Sequence, residues 1–177
     1  MTETIVVNDY ARKIMEALPK GILLNTQGEK FNSMVIGWGD LGRVWNVPVF
    51  VVYVRENRYT KSQLDKTGEF TVSIPLEKPI PEINRICGSL SGHHIDKQTE
   101  AKLTLEPGRT IQTSGIREYP LTLECKVLYT HELDIKTLPE AIQTRMYPQN
   151  VDGSYPMANR DAHTVYVGQI MDAYIIR

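Results

Sequence analysis

Apolar and polar residues fall mostly in short runs bounded by Gly, Pro, Asn and Asp, the rhythm of strands and turns rather than of long helices. The longest apolar run, VPVFVVYV at 47–54, is rich in β-branched and aromatic residues, as suits a strand buried on both faces. Residues 121–131 alternate more regularly and set Leu121, Leu123, Cys125, Val127 and Tyr129 on one face. Further strands are predicted at 69–74 and 163–176, with short ones at 102–106 and 115–118. Residues 21–25 and 30–39 read as a hairpin around Thr26-Gln27-Gly28-Glu29. Gly37 and Gly39 in its second arm suggest a bulge or a close approach of backbone. Asp40-Leu41-Gly42-Arg43 reads as a turn into the long apolar strand.

Helical spacing is confined to a few places. Ala11, Ile14, Met15 and Leu18 make an apolar stripe over 8–18, with Asn8 or Asp9 as cap and Pro19-Lys20-Gly21 as stop. Residues 61–67 form a second helix, with Thr60 at the N-cap, Gln63 where a capping box places its amide, and Gly68 just past the end. Residues 82–86 start a third, ending near Gly88, and 139–146 form a fourth. The rest of 134–162 is irregular, and a loop of that length in a compact domain serves function or acts as a cover. Repeats, low-complexity tracts and linkers are absent. The chain is therefore read as one mainly β domain over 1–177, a closed or nearly closed barrel with a few short helices. Residues 1–20 are an N-terminal helical extension and 134–162 an inserted loop.

Composition narrows the partners. The 177 residues suffice for one real core. Twenty basic residues against 21 acidic ones leave no field to gather nucleic acid. The N-terminus lacks the basic and apolar regions of a signal peptide, and no apolar run approaches membrane-spanning length. The two cysteines, Cys87 and Cys125, are read as free thiols in a reducing compartment. A cytoplasmic protein is expected.

Chemistry concentrates where the apolar strand empties into Arg55-Glu56-Asn57-Arg58-Tyr59-Thr60. Two arginines and a hydroxyl arrive beside the unpaired amides of a helix N-terminus, a setting that attracts anions, above all the phosphate of a cofactor. Two other segments stand out. Asn32-Ser33-Met34-Val35-Ile36-Gly37-Trp38 offers polar groups and a flat ring. Cys87-Gly88-Ser89-Leu90-Ser91-Gly92-His93-His94-Ile95-Asp96-Lys97 offers exposed backbone and a charge. Singly, each has a plainer reading as a turn, a core tryptophan, surface charge or a flexible loop. Adjacent His93 and His94 point apart on extended backbone and find no third ligand at a useful spacing, so no metal is assigned. Cys87 has no resolving partner, Ser91 sits on no nucleophile elbow, and no GxGxxG follows a strand.

Taken in order, FNSMVIGW, VPVFVVYVRENRYT, GEFTVSIP, ICGSLSGHHIDK, LECKV and DAHTVYVGQI resemble the flavin reductase-like FMN-binding proteins, the flavoredoxins in particular. The resemblance runs from about Gly21 to the C-terminus and is interrupted mainly at 134–161. It implies a split β-barrel, a homodimer and an FMN at or near the subunit interface. It also implies electron or hydride transfer from NADH or NADPH, or a redox protein, to an acceptor such as free flavin. Asn32, Ser33, Met34, Val35, Ile36 and Trp38 match the segment along the flavin ring and ribityl chain. Arg55, Asn57, Arg58, Tyr59 and Thr60 match the phosphate segment. Cys87, Gly88, Ser89, Ser91, Gly92 and Lys97 match the other cofactor loop, and His163 matches a histidine near the flavin, with no residue assigned to catalysis. The sequence departs from the family at His93-His94, where an arginine and an acidic residue are common, and at Gln169, where a glutamate is frequent. Tyr147, Tyr155 and Trp45 are candidates to cover the flavin, or else to pack between subunits.

Overall fold

A computed structural model describes residues 1–149 and 161–177. The chain enters through β1 (Thr2–Thr4) and α1 (Val7–Ala17), then a 3-10 turn that ends at Gly21, whose φ of 93° no L side chain adopts readily. Next come β2 (Ile22–Gln27), β3 (Phe31–Ile36), β4 (Gly39–Val44) and β5 (Val47–Arg55). Helix α2 (Tyr59–Thr67) leads to β6 (Glu69–Ile74), and α3 (Pro81–Ser89) to the short α4 (Lys97–Glu100). The chain closes with β7 (Leu105–Glu106), β8 (Gly115–Ile116), β9 (Leu121–Glu132), α5 (Glu140–Met146) and β10 (His163–Ile176).

The main sheet runs β3-β2-β6-β9-β10-β5-β4, with β1 also on β10, and every described pairing is antiparallel. Its end strands β3 and β4 do not pair with each other. Yet Ile22 and Leu24 of β2 meet Phe50, Val52 and Val54 of β5 in one core, although β6, β9 and β10 lie between those strands in the sheet. The sheet has therefore wrapped into a barrel that stays split along one seam. Leu23, pointing the other way, packs with Ile83, Ile86 and Cys87 of α3 in a second core outside the sheet. No helix among the described residues is long and apolar enough to cross a membrane.

Several elements differ from their sequence signals. Asp40–Arg43 lie within β4, not in a turn. The turn is Trp45-Asn46, at φ 49° and 63°, the positive pair that matches the twist of a two-residue hairpin. Polar, glycine-bearing sequence resembled a turn because β4 is an edge strand, half in solvent. Gly39 meets the close approach expected of it: a Cβ there would lie 2.9 Å from the Val51 carbonyl oxygen.

Helix α1 starts at Val7, so Asn8 and Asp9 sit in its first turn rather than capping it, and Met15 is exposed while Ile14 is fully buried. Strand β5 is not buried on both faces: Phe50, Val52 and Val54 enter the core, whereas Val51, Tyr53 and Arg55 are half-buried on a partly open face. Strand β9 exceeds its predicted amphipathicity in its first half. Leu121 to Cys125 are all buried, including Glu124, whose carboxylate accepts from the Arg109 and Thr110 amides (2.7 Å each) and from two hydroxyls. Beyond Cys125 the strand runs into solvent.

Candidate functional site

Strand β3, the loop and N-terminus after β5, and the α3–α4 connection converge on one cleft with two lobes. The first has about 460 Å³ of free space and is lined by Asn32, Asn57, Arg58, Tyr59 and Thr60, with Cys87, Gly88, Leu90, Ser91, Gly92 and Lys97 opposite. The second has about 540 Å³, and its walls are Ile36, Gly37, Trp38, Tyr53, Arg55 and His163. Met34, Val35 and Arg58 line both, so the two lobes adjoin.

The first lobe is built for an anion. Arg58, at the N-cap of α2, projects a guanidinium that has no hydrogen-bond acceptor among the described residues. The amides of Tyr59 and Thr60 open the helix and have no intrahelical acceptor. Lys97 is buried, and its ammonium donates to two neutral carbonyls, Ser33 O and Cys87 O, both at 2.8 Å. Two of its three N–H groups are thus used, and no carboxylate among the described residues neutralises it. Burial lowers its pKa to about 8.

Thr60 and Gln63 do not cap α2 through their side chains. Thr60 is buried and its hydroxyl accepts from Asn32 Nδ2 at 2.9 Å, while Gln63 bonds Thr26 and the Lys30 carbonyl. Both side chains instead tie the helix to the β2–β3 hairpin. Gly68 does close α2 in the left-handed conformation, at φ 63°. Asn32 Oδ1 is buried without a partner in the lobe wall, a polar atom that a ligand donor would satisfy. Over it lies Gly92, where a Cβ would come within 2.3 Å of that oxygen and 2.7 Å of the Tyr59 ring.

The second lobe is flatter and more apolar. His163, the first residue of β10, stands directly across from Arg55 of β5. Its ring lies 4.9 Å from Trp38, and its Nδ1 is 2.7 Å from the Tyr147 hydroxyl. Burial, and then the charges of Arg55 and Arg58, push its pKa down to about 4. The imidazole is neutral at pH 7.

Arg55 is not delivered to the same spot as Arg58. Its guanidinium donates to the Asp161 carbonyl at 3.1 Å and the Met146 carbonyl at 3.3 Å, and lies over the Tyr147 ring. Alternation decides this: Arg55 and Tyr53 share the half-open face of β5, whereas Arg58 lies past the strand end. Two further expected residues stand apart from the cleft lining. Ser33 is buried behind it and contributes the carbonyl that holds Lys97, and Ser89 is exposed in the last turn of α3. Cys87 lines the lobe with its thiol pKa raised by burial, the reverse of a reactive thiolate.

Tyr53 escaped the sequence reading, whereas Gly37 and Leu90 lay inside the segments it singled out and do line the cleft. Period-two spacing from Arg55 along β5 is the signal for Tyr53. Trp45 does not reach the cleft: it sits in the β4–β5 turn, 6.2 Å from Tyr129. Tyr155 lies outside the described residues. Residues of the 134–149 segment instead raise an apolar wall. Leu138, Ala141, Ile142 and Met146 face Trp38 and Tyr53 across a neighbouring cavity of about 460 Å³, with Arg145 beside them.

Comparison with known proteins gives this geometry its context. The profile of the flavin reductase like domain matches residues 15–177. The chain belongs to the flavin reductase-like family. A curated, uncharacterised protein of Archaeoglobus fulgidus is 29% identical over 110 residues, which cover 62% of this chain and 61% of that relative. The alignment thus spans less than two thirds of the relative's length. Among solved structures, the flavoredoxin of Methanosarcina acetivorans superposes with a TM-score of 0.66 at 24% identity, covering 89% of this chain and 69% of that one. The FMN-binding domain of a flavin reductase-like enzyme from Shewanella baltica OS155 gives 0.66 at 13% identity, covering 99% and 77%. The split barrel of this flavin reductase-like chain is thus a shared fold, reached at low identity.

The residues present suit FMN. A phosphomonoester of about −1.5 to −2 charges requires cations and free amides, which Arg58, Lys97 and the start of α2 offer at one end of the cleft. A flat ring requires apolar walls and polar atoms at its edge, which Met34, Val35, Ile36, Trp38 and His163 offer at the other.

Proposed function

We propose that this chain binds FMN and passes electrons through it. The observation that carries the reading is the adjacency of the two lobes: an anion-seeking end whose Arg58 guanidinium has no acceptor among the described residues, beside a flatter slot that shares Met34, Val35 and Arg58 with it. When bound, FMN supplies the redox chemistry, taking up two electrons as hydride and releasing them to an acceptor.

The chain's own residues bind, orient and shield. Arg58, Lys97 and the first amides of α2 hold the phosphate, with Gly92 allowing the loop to close on Asn32. Met34, Val35 and Ile36 line one wall of the slot, and Trp38 and His163 its far end. The electron donor is NADH or NADPH, and the second reactant enters over Trp38 and Tyr53, beside the apolar wall of α5. This is the reductase reading, with free flavin or another flat acceptor reduced in turn.

The likeness to a flavoredoxin favours a second reading, a carrier that keeps FMN and exchanges electrons with a protein partner. An absorbance spectrum of the FMN-loaded protein, before and after anaerobic NADH or NADPH, separates the two. Bleaching of the flavin band, with catalytic NAD(P)H oxidation stimulated by free flavin, supports the reductase. Retained yellow colour without such turnover supports the carrier. A protein that stays colourless after soaking with FMN overturns both.

A further inference from the structure

We propose that Tyr147 is a positioning residue that fixes the tautomer of His163, so that the histidine meets the cleft as a hydrogen-bond donor and not as a base. The contact is short and buried: the Tyr147 hydroxyl lies 2.7 Å from His163 Nδ1, with 4% and 5% of the two residues exposed. Two arrangements satisfy that distance. In one the phenol donates to Nδ1, and the ring carries its proton on Nε2. In the other Nδ1–H donates to the phenol oxygen, and Nε2 keeps a lone pair.

The surroundings choose between them. The described residues offer the Tyr147 hydroxyl no second partner, so the other arrangement would bury an O–H with no acceptor. The first arrangement leaves the unspent N–H on Nε2, the remaining nitrogen of a ring that lines an open cleft, where a ligand or water meets it. The ring is held from three sides. Trp38 lies 4.9 Å from it, Arg55 stands across the strand pair and over the Tyr147 ring, and Tyr147 meets it edge-on. Arg55 and Arg58 also disfavour an imidazolium, whose Nδ1–H would donate to the phenol oxygen and leave the Tyr147 O–H without an acceptor among the described residues.

The group that His163 meets is therefore an acceptor: a carbonyl oxygen or unprotonated ring nitrogen of the bound heterocycle, or the carbonyl of the second reactant. The identity of that heterocycle rests on the FMN reading, whereas the tautomer does not. The test uses the full chain without FMN, labelled with ¹⁵N-histidine, in a long-range ¹H–¹⁵N correlation at pH 7. The four histidines are separated by the resonances lost in His163→Asn. Wild type is expected to show His163 protonated on Nε2 alone. In Tyr147→Phe, which keeps the ring and removes only the hydroxyl, its nitrogen shifts move toward the average of two exchanging tautomers while His93, His94 and His131 stay in place. Protonation on Nδ1 in wild type, or unchanged His163 shifts in Tyr147→Phe, overturns the proposal. FMN titration of wild type keeps the two readings apart: failure to bind FMN sinks the proposed function alone, and an Nδ1–H ring in a protein that binds FMN sinks this inference alone.

Discussion

At the scale of residues, the anion end of the cleft rests on few charges, each in a different setting. Arg58 is exposed and has no acceptor among the described residues, which leaves its guanidinium for charge-assisted hydrogen bonds to a ligand. Arg58→Ala is expected to weaken FMN binding by about 1.5–3 kcal/mol, roughly ten- to hundredfold, in a flavin fluorescence titration. An unchanged affinity would remove Arg58 from the phosphate site. Lys97 is buried, and its pKa of about 8 lies below the ordinary 10.5, so it is still charged at pH 7 and largely neutral at pH 9. FMN affinity should therefore fall as pH rises through 8, and the dependence should vanish in Lys97→Met. The same depression has a consequence for stability. Between about pH 8 and 10.5 the unfolded chain holds a proton that the folded chain has released, so this group makes the fold more stable as pH rises through that window. Histidine 163 has the corresponding sign at lower pH: its folded pKa of about 4 lies below 6.5, and its contribution is lost as pH falls from about 6.5 to 4. A urea midpoint that declines less steeply over that range in His163→Gln would bear this out.

At the scale of elements, the cleft depends on how closely the α3–α4 loop lies on β3. Gly92 is the contact point, and any side chain there strikes Asn32 and Tyr59. Gly92→Ala is expected to cost FMN binding about 1–3 kcal/mol, the range for overpacking a tight site. The thermal midpoint of the FMN-free protein should move less, since Asn32 and Tyr59, the side chains that a Cβ would strike, belong to neither hydrophobic core. Equal loss of both would show that the glycine serves the fold rather than the cleft. Sequence patterning located most of these elements: the α2 stop at Gly68, the β2–β3 hairpin and the long closing strand are where spacing placed them. It failed at β4 because an edge strand with Gly and Asp has the composition of a turn, and at the α2 cap because Thr60 and Gln63 found tertiary partners. Local rules describe what a side chain does when nothing distant competes for it. Asn32, Thr26 and the Lys30 carbonyl, all distant in sequence, do compete here.

At the scale of the molecule, one flank exposes Trp45 and Tyr129, with 60% and 49% of their surface free and their rings 6.2 Å apart. The homodimer implied by the resemblance would cover such a flank. Sedimentation is expected to give twice the chain mass, and Tyr129→Glu to shift it toward one; a wild-type monomer at all concentrations would overturn the dimer. The sequence alone determined that the chain is mainly β, that an apolar strand runs into a basic helix start, and that six separated motifs belong to one family. These follow from hydrophobic period, composition and motif order, which are local or statistical properties of the chain. Only the tertiary structure decided that Arg55 braces the Asp161 segment while Arg58 faces the cleft, that Lys97 is buried against two carbonyls, and that Tyr147 meets His163. The reason is physical: strand register and barrel closure bring together residues 10 to 106 positions apart, and no periodicity in the sequence encodes which hydroxyl or carbonyl a side chain will find.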